Sequence, residues 1–595
     1  MENTRPILYG VADYALLRKK NGWFIDRTAK IRDLENTRYA VFLRPRRFGK
    51  SLLLSILRAY YDVLFADRFD EFFAGTDIGA NPTEERGTYF VLYFNFSAVT
   101  KDARQVECSF NDYASLCIDT FVRNYGGRLP DGLADRVLAT AGCTGKLSVV
   151  TQGLIGTGLK LYVLIDEYDN FTNTILAESG LNAYNDLCHG DGFFKQFFTN
   201  LKDATTGVDA PVSRLFITGV SPVTMDDVTS GFNIGTNISF MPQFADLTGF
   251  RHDDLRSIAD YYGARCGFDA EKACDAARTW YDNCRFGSAD APPLANTTLV
   301  LYFFDKLVRA KVWPDDMVDE NLRTDYAKIR HLGTMDRRLN GNFHVLENLL
   351  AGGALEEPIA KSFQANELSK KENFTSLLYW LGITTIMGEK FGKTVFGVPN
   401  ETLKELVAKM IPAAYSDVHK IDERVFDINS GLCDFAEKGE WKGVVGILSG
   451  IVKENFAVRD SVEGEKVVQS TIVALLTAAK GPYFVTHERE VGGGFYDLAL
   501  APQLARWPDI AHAALIELKY VKAGDPSPTP EALAKIKADA IDQLDKYSAD
   551  PALAKAWHLK SVADAQERVS PSGTVTLHRL VLVFHGGDFV LSEEV

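Results

Sequence analysis

The chain has 595 residues, more than one hydrophobic core can organise, since single cores stop growing at roughly 250 to 300 residues. It carries 65 Lys and Arg against 79 Asp and Glu, a formal net charge of −14. This charge excludes a protein that coats nucleic acid with its whole surface, so any nucleic-acid contact must use a local patch. No apolar run reaches the roughly 20 residues that span a bilayer, and the first residues lack a signal-peptide pattern. We therefore expect two or three domains in the cytoplasm and no membrane segment.

Four apolar runs in the N-terminal half are typical of buried parallel strands. They are separated by helix-length sequence and cover residues 39–43, 89–96, 161–169 and 214–221. Continuous apolar strands alternating with helices predict a parallel sheet covered on both faces.

The pattern changes twice after this half. Residues from about 310 to 400 are charged and have helical spacing, which predicts a helical connector. From about residue 415, helices and short strands mix, which predicts a separate α/β domain. The predicted domains are therefore 1–305, 306–412 and 413–595.

A basic loop, RPRRFGKS at residues 44–51, joins the first strand to a helix and ends like a phosphate-binding P-loop. The backbone N–H groups around Gly49 and at the helix N-terminus would bind phosphate oxygens. Lys50 would contact the β and γ phosphates, and the Ser51 hydroxyl would bind Mg²⁺. Arg44 stands where the motif has its first glycine, which normally permits a tight turn. A basic solvated turn is the alternative interpretation of this loop alone.

Polar side chains end two of the later apolar strands. Asp166 can hold Mg²⁺ and Glu167 can polarise a water, as the two carboxylates do in P-loop ATPases. Thr218 follows on the next strand, where a γ-phosphate sensor stands. Together with the loop, these residues predict a site for ATP with Mg²⁺.

Several segments resemble the AAA-ATPase-like family, which is mostly bacterial and is commonly fused to a PD-(D/E)XK nuclease domain. They are FIDRTAKI at 24–31, RPRRFGKSLLLSIL at 44–57, LIDEYDN, FITGVSPV at 216–223, LTGF at 247–250 and WYDNCRFG at 280–287. The resemblance implies a P-loop fold of the ASCE type and makes RRFGKS a family trait. It also implies that Arg46 and Arg47 lie near the phosphates and that Arg285 is a sensor or finger arginine. Asn283 and Cys284 depart from the family's WYDGY pattern.

Three charged residues stand out in the apolar strands of the C-terminal third. Asp497 follows three glycines, and Glu517 and Lys519 flank Leu518, so the period-2 alternation of a strand puts their side chains on one face. Buried carboxylates need partners, and two of them make a site for Mg²⁺ or Mn²⁺. Lys519 would orient or activate a water for attack on a phosphodiester there.

This D…ExK arrangement resembles the PD-(D/E)XK nuclease superfamily. The resemblance implies further acids at Glu465, on the preceding helix, and Glu490, and it implies roles for Gln543 and Tyr547 on the following helix. Glu465 is then a further metal ligand and Glu490 a catalytic residue. VPNETLKEL at 398–406 resembles the segment that precedes this domain. Phe495 and Gln469 stand where the family often has Arg and His.

These features predict an α/β protein in which a P-loop ATPase domain precedes a restriction-endonuclease-like domain. The function expected is ATP-regulated cleavage of nucleic acid, DNA being favoured by the domain pairing. The first alternative is a nucleotide-regulated module that binds nucleic acid or protein without cutting. The second is an ATPase whose C-terminal domain is only structural. Homo-oligomers are common among such ATPases, but the sequence has no coiled-coil heptads.

Overall fold

The protein is described from a computed structural model. The structure describes residues 4–190, 192–228, 233–314, 316–319, 342–350, 354–368, 370–415, 421–457, 465–487, 489–491, 494–522, 524–560 and 575–595. The chain forms two compact units. The N-terminal unit comprises Met1–Asn340 and Glu356–Pro399, and the C-terminal unit comprises Gly341–Leu355 and Asn400–Val595.

A five-stranded sheet with the order β2-β3-β4-β1-β5 forms the core of the N-terminal unit. Every pair of neighbouring strands in it is parallel. The strands are β1 Tyr39–Leu43, β2 Phe90–Asn95, β3 Leu161–Asp166, β4 Val212–Gly219 and β5 Thr236–Asn237. Because β4 lies between β1 and β3, the sheet has the ASCE arrangement, and the predicted fold class is confirmed.

Helices cover this sheet because their apolar residues recur with helical spacing. In the helix Phe193–Asp203, for example, Phe194, Phe197, Phe198 and Leu201 are buried, at steps of three and four residues. The longer α-helices of this unit are Lys50–Tyr61, Val106–Tyr125, Cys143–Leu154, Asn170–Cys188, Phe193–Asp203, His252–Cys266, Ala270–Tyr281, Thr297–Ala310 and Lys371–Trp380. The shorter ones are Tyr14–Lys19, Lys30–Leu34, Phe69–Phe73, Asp77–Ala80, Leu133–Ala139 and Val223–Val228.

The region predicted as a helical connector also contains a small sheet. Its three strands, β6 Leu355–Glu357, β7 Thr385–Lys390 and β8 Lys393–Gly397, have the order β6-β8-β7. These strands were not predicted, because the alternation of Thr, Val, Ile and Phe extends over only a few residues and helical spacing dominates the sequence around it. Positions 305 and 412, the predicted domain limits, lie inside the helices Thr297–Ala310 and Glu401–Tyr415. The three-domain division stays a prediction.

A second five-stranded sheet, with the order β15-β14-β13-β12-β9, organises the C-terminal unit. β13 and β14 are parallel, and the other neighbours are antiparallel. The strands are β9 Tyr483–Thr486, β12 Leu498–Pro502, β13 His512–Val521, β14 Thr576–His585 and β15 Asp588–Glu594, and β10 Arg489–Val491 pairs with β11 Gly494–Tyr496. β15 was not predicted from the sequence, because its residues are exposed or half-buried and alternate only weakly.

Apolar residues on both faces of this sheet are buried under helices. The helices of the unit are Asn342–Leu350, Glu401–Tyr415, Ile421–Lys438, Lys442–Ala457, Glu465–Ala478, Pro530–Ser548 and Pro551–Ala556. Across both units, none of the helices in the described part of the chain is long and apolar enough to cross a membrane.

Candidate nucleotide and metal sites

The loop at residues 44–49 connects β1 to the helix Lys50–Tyr61, as the motif predicts. Gly49 has φ +91°, a left-handed conformation that glycine adopts without strain. Lys50 is 6% exposed, and its ammonium donates hydrogen bonds to the carbonyls of Arg44 and Pro45 at 2.8 and 2.9 Å. The Lys50 ammonium therefore lies inside the loop that the motif assigns to phosphate.

Arg44 explains how this loop dispenses with its first glycine. Its guanidinium is buried between the rings of Phe42 and Phe286, with 4.5 and 4.4 Å to the ring centroids. It donates to four backbone carbonyls, those of Leu43, Ser239, Phe244 and Ala245. Burial lowers the pKa of Arg44 to about 10. Arg44 thus fastens the segment after β5 to the loop, which is a structural role.

Asp166, at the end of β3, has one carboxylate oxygen without a partner. Its Oδ1 accepts hydrogen bonds from the Thr218 hydroxyl at 2.6 Å and from the backbone N–H of Glu167 at 3.0 Å. Its Oδ2 is buried and has no hydrogen-bond partner within the described residues. A buried, unsatisfied carboxylate oxygen is costly, and a divalent ion satisfies it directly. Asp166 therefore fits the Mg²⁺ ligand that the sequence predicts.

Glu167 has a left-handed backbone with φ +49°, which is unusual for a glutamate. Its carboxylate accepts a hydrogen bond from the side-chain amide of Asn170. Asn170 is 8% exposed, and its own Oδ1 has no partner in the described structure. The sequence analysis missed Asn170, although its spacing of three residues from Glu167, at the start of a helix, was a usable signal.

Asp169 joins the ends of β3 and β4. Its carboxylate accepts the backbone N–H groups of Val220 and Ser221 at 2.8 to 3.1 Å. Burial raises its pKa, against the effect of these hydrogen bonds. Lys50 faces the same group of acids: burial lowers the pKa of Lys50, and the charges of Glu167, Asp166 and Asp169 oppose this. The structure therefore brings the loop lysine and the strand-end carboxylates together.

The structure also locates the other residues predicted to bind nucleotide. Ser51 is half-buried in the first turn of its helix. Arg46 and Arg47 are half-buried, and their backbone carbonyls accept hydrogen bonds from the side chains of Asn296 and Thr298.

Arg285 is half-buried, and its backbone N–H donates to Thr385 at 2.6 Å. Its neighbour Phe286 packs on Phe48 and Arg44 of the loop. The side chain next to Arg285 therefore contacts the loop, while the role of the Arg285 side chain stays a prediction.

An apolar pocket adjoins the loop at Gly49. Residues from the first 34 positions, from the loop end and the helix Lys50–Tyr61, from 247–250 and from the helix Thr297–Ala310 line it. They include Leu8, Val11, Trp23, Phe24, Ile25, Leu52, Leu53, Phe250 and Leu301. Such walls suit a flat, weakly polar ring system next to a phosphate site.

Asp497, Glu517 and Lys519 lie together in the C-terminal unit. Asp497 lies between β11 and β12, and its Oδ2 accepts the backbone N–H of Leu518 at 2.8 Å. The ammonium of Lys519 lies 3.0 Å from Glu517 Oε2 and 3.5 Å from Asp497 Oδ2. Two carboxylates and one cation therefore converge at the junction of β12 and β13.

Glu517 is the most buried member of this cluster, with 1% of its surface exposed. Burial, a hydrogen bond with Asp497 and the charge of Asp497 raise the pKa of Glu517 to about 9, against the effect of Lys519. Its Oε1 is buried and has no hydrogen-bond partner within the described residues. These residues fit a divalent cation, which neutralises both acids and takes up the unsatisfied oxygen.

The helix Pro530–Ser548 brings Tyr547 to the same place. The Tyr547 hydroxyl donates to the carbonyl of Phe495 at 2.7 Å, and its pKa is raised by burial and by the charges of Glu517 and Asp497. Gln543, one turn earlier, has a buried Oε1 without a partner in the described structure.

Three more residues complete the comparison with the predicted metal site. Gln469 donates its side-chain amide to the carbonyl of Asp497 at 2.9 Å, so it positions the backbone of a predicted ligand. The side chains of Glu465 and Glu490 lie outside the described part of the structure. Among the side chains that are described, no three His, Cys, Asp or Glu residues form a group that could hold a metal ion. The site therefore rests on two carboxylates.

Comparisons with known proteins agree with this division. Residues 8–229 match the family model described as "Predicted AAA-ATPase", and residues 463–567 match the PD-(D/E)XK nuclease superfamily model. No curated protein matches the chain.

A crystal structure of Cdc6p from Pyrobaculum aerophilum is similar over 65% of this chain and 93% of its own, at 11% identity and a TM-score of 0.20. The family prediction rests on the two family models and is confirmed: the chain joins an AAA-ATPase-like domain to a PD-(D/E)XK nuclease superfamily domain.

Proposed function

We propose that this protein cleaves nucleic-acid phosphodiesters in the C-terminal unit and that ATP binding and hydrolysis in the N-terminal unit regulate the cleavage. One observation carries the proposal. Asp497, Glu517 and Lys519 form a partly buried cluster in which the buried Oε1 of Glu517 has no hydrogen-bond partner within the described residues. A cluster made only for stability would have all its hydrogen bonds satisfied.

In the N-terminal unit, Lys50 turns from the loop carbonyls to the β and γ phosphates of ATP. Ser51 and Asp166 hold Mg²⁺, which neutralises charge on the phosphates when bound. Glu167 orients the attacking water and accepts its proton, and Thr218 senses the γ-phosphate through its contact with Asp166.

The remaining ATP contacts come from the loop and the pocket beside it. The apolar pocket beside Gly49 accepts the adenine ring. Arg46, Arg47 and Arg285 supply positive charge around the phosphates.

In the C-terminal unit, Asp497 and Glu517 hold Mg²⁺ or Mn²⁺, with Glu465 as a further ligand. The ion polarises the phosphodiester when bound. Lys519 donates hydrogen bonds that orient the attacking water, and we assign further catalytic roles to Glu490 and Gln543. Tyr547 keeps the backbone before Asp497 in place through its bond to Phe495.

The partner that this chemistry implies is a nucleic acid, DNA being our preference, bound through a local patch because the whole chain is acidic. A bacterial cytoplasm supplies DNA, ATP and Mg²⁺ together, and we assign the protein to it. Self-association, which would bring an arginine of one copy to the nucleotide of another, is consistent with this scheme.

Cleavage of plasmid and single-stranded DNA in Mg²⁺ tests the proposal. Lys519→Ala should abolish cleavage, because Lys519 is the only cation that the described structure places against both acids. Lys522→Ala is a matched control, since Lys522 is exposed just beyond the same strand. Equal cleavage by wild type and Lys519→Ala would overturn the nuclease assignment, whereas DNA binding without turnover in Mg²⁺ or Mn²⁺ would select a non-cleaving module.

A further inference from the structure

The hairpin formed by β7 and β8 has an unusual tip. Its two connecting residues, Phe391 and Gly392, both have left-handed backbones, with φ +50° and +78°. Two positive φ values in a two-residue connection make a type I′ turn, which strongly prefers Asn-Gly. Phe391 occupies the position where Asn is favoured.

Nothing in the described part of the fold accounts for a phenylalanine at this position. Left-handed backbone is strained for a bulky residue, since only Gly, Asn and Asp adopt it readily. Burial does not compensate the strain, because Phe391 is 96% exposed. A residue that is both strained and exposed points to a contact made outside the chain.

The lysines that flank the tip break a second local rule. Lys390 and Lys393 are paired directly opposite each other in the antiparallel ladder, where like charges repel. Glu356 lies 2.6 Å from Lys390, but both side chains are about half exposed, so this pair offsets little of the repulsion. The tip therefore presents an exposed aromatic residue that is flanked along the chain by two exposed lysines.

The base of the hairpin is firmly attached to the N-terminal unit. Phe396 is fully buried and contacts the ring of Tyr379 at 5.9 Å between centroids. Thr385, at the start of β7, accepts the backbone N–H of Arg285. Since Phe286, the next residue, packs on the phosphate loop, the hairpin and the nucleotide site share a rigid support.

We infer that the β7–β8 hairpin tip binds nucleic acid, with the Phe391 ring stacked on a base and Lys390 and Lys393 in contact with the adjoining phosphates. Aromatic rings combined with cations are the usual means of binding unpaired bases, and exposed apolar side chains can also wedge between base pairs of a duplex. The tip supplies the local patch that an acidic chain requires. The inference rests on the proposed function, because it assigns the substrate contact of the same protein.

Fluorescence anisotropy of the full chain with labelled DNA tests this assignment, in EDTA to prevent cleavage and with single-stranded and duplex probes as separate arms. Phe391→Asn should weaken binding to at least one probe by about five- to hundredfold, the range expected for one stacked base. Asn suits the type I′ turn, so this variant should be at least as stable as wild type in thermal unfolding. Phe426→Ala is a control at a phenylalanine that is 73% exposed.

Salt dependence tests the lysines separately. Replacing Lys390 and Lys393 by Gln should lower the slope of log affinity against log salt by about one to two, because each phosphate contact releases a counterion. An unchanged slope would show that Lys390 and Lys393 do not contact phosphates and would overturn that part of the inference.

The outcomes separate this inference from the proposed function. If wild type binds and cleaves DNA and Phe391→Asn binds both probes as tightly, the hairpin assignment is overturned and the proposed function stands. If wild type binds neither probe, both fail. Binding of anionic phosphatidylglycerol vesicles that requires Phe391, without nucleic-acid binding, would identify the tip as a membrane contact and overturn the inference.

Discussion

Glu517 should destabilise the protein whenever the divalent ion is absent, and its replacement by Gln should therefore stabilise the metal-free chain. In the folded protein, burial and the contact with Asp497 raise the pKa of Glu517 from its ordinary value of 4.5 to about 9. Between these two values the folded state keeps a proton that the unfolded chain releases, so the free energy of unfolding falls as pH rises.

The size of this effect follows from the pKa. At about pH 7 the accumulated cost is at most about 3.5 kcal/mol, since the pH lies about 2.5 above the ordinary value and each pH unit contributes about 1.4 kcal/mol. Glu517→Gln keeps the shape and removes the ionisation. Lys519 retains Asp497 as a partner at 3.5 Å, so the substitution leaves no isolated cation.

Calorimetry of the whole chain in EDTA measures the stability of the C-terminal unit. Glu517→Gln should unfold like wild type at about pH 4 and at a higher temperature than wild type at about pH 8, because the cost develops only above the ordinary pKa. Mg²⁺ should raise the unfolding temperature of wild type and have no effect on the variant.

Glu593→Gln, at an exposed glutamate in β15 paired with Lys537, is the control. A variant less stable than wild type in EDTA at about pH 8 would refute the argument, because it would mean that the folded protein stabilises the ionised form of Glu517.

Three further predictions concern residues that support the predicted ligands and catalytic groups. Arg44→Gly restores the usual glycine of the P-loop but removes the buried hydrogen bonds that Arg44 donates to four backbone carbonyls, so it should destabilise the N-terminal unit by about 3 to 5 kcal/mol in chemical denaturation. Asn170→Ala should lower kcat for ATP hydrolysis by about ten- to hundredfold, since a hydrogen bond to the charged Glu167 is lost, while fluorescent nucleotide binds as before. Tyr547→Phe removes the bond to the backbone before Asp497 and should slow DNA cleavage about three- to tenfold with ATP hydrolysis unchanged. Unchanged stability, unchanged kcat or unchanged cleavage would contradict the respective role.

The sequence predicts those parts of the fold and sites that depend on local patterns. The apolar strands can be recognised from the sequence, and so can Asp166 at the end of one of them and Lys50 at the start of the helix that follows another. Glu517 and Lys519 stand out because a strand alternates its side chains and their neighbours are apolar. These predictions need only the chain within a few residues of each site.

The remaining features depend on contacts between distant segments. Arg44 looks like a defect of the loop until its guanidinium is seen bound to carbonyls about 200 residues away. Asp169 gains its role from the backbone after β4, 51 residues further on. The β6-β8-β7 sheet is held by pairing between short segments that a helical pattern surrounds. Contacts between such distant segments cannot be predicted from a local sequence pattern.

DNA cleavage in Mg²⁺, measured with and without ATP, tests the central claim most directly. The assay compares wild type, Lys50→Ala and Lys519→Ala at equal protein concentration. We predict that ATP changes the cleavage rate of wild type, that Lys50→Ala cuts at a rate indifferent to ATP, and that Lys519→Ala does not cut in either condition. Cleavage by wild type at the same rate with and without ATP would contradict regulation of the nuclease site by the nucleotide site.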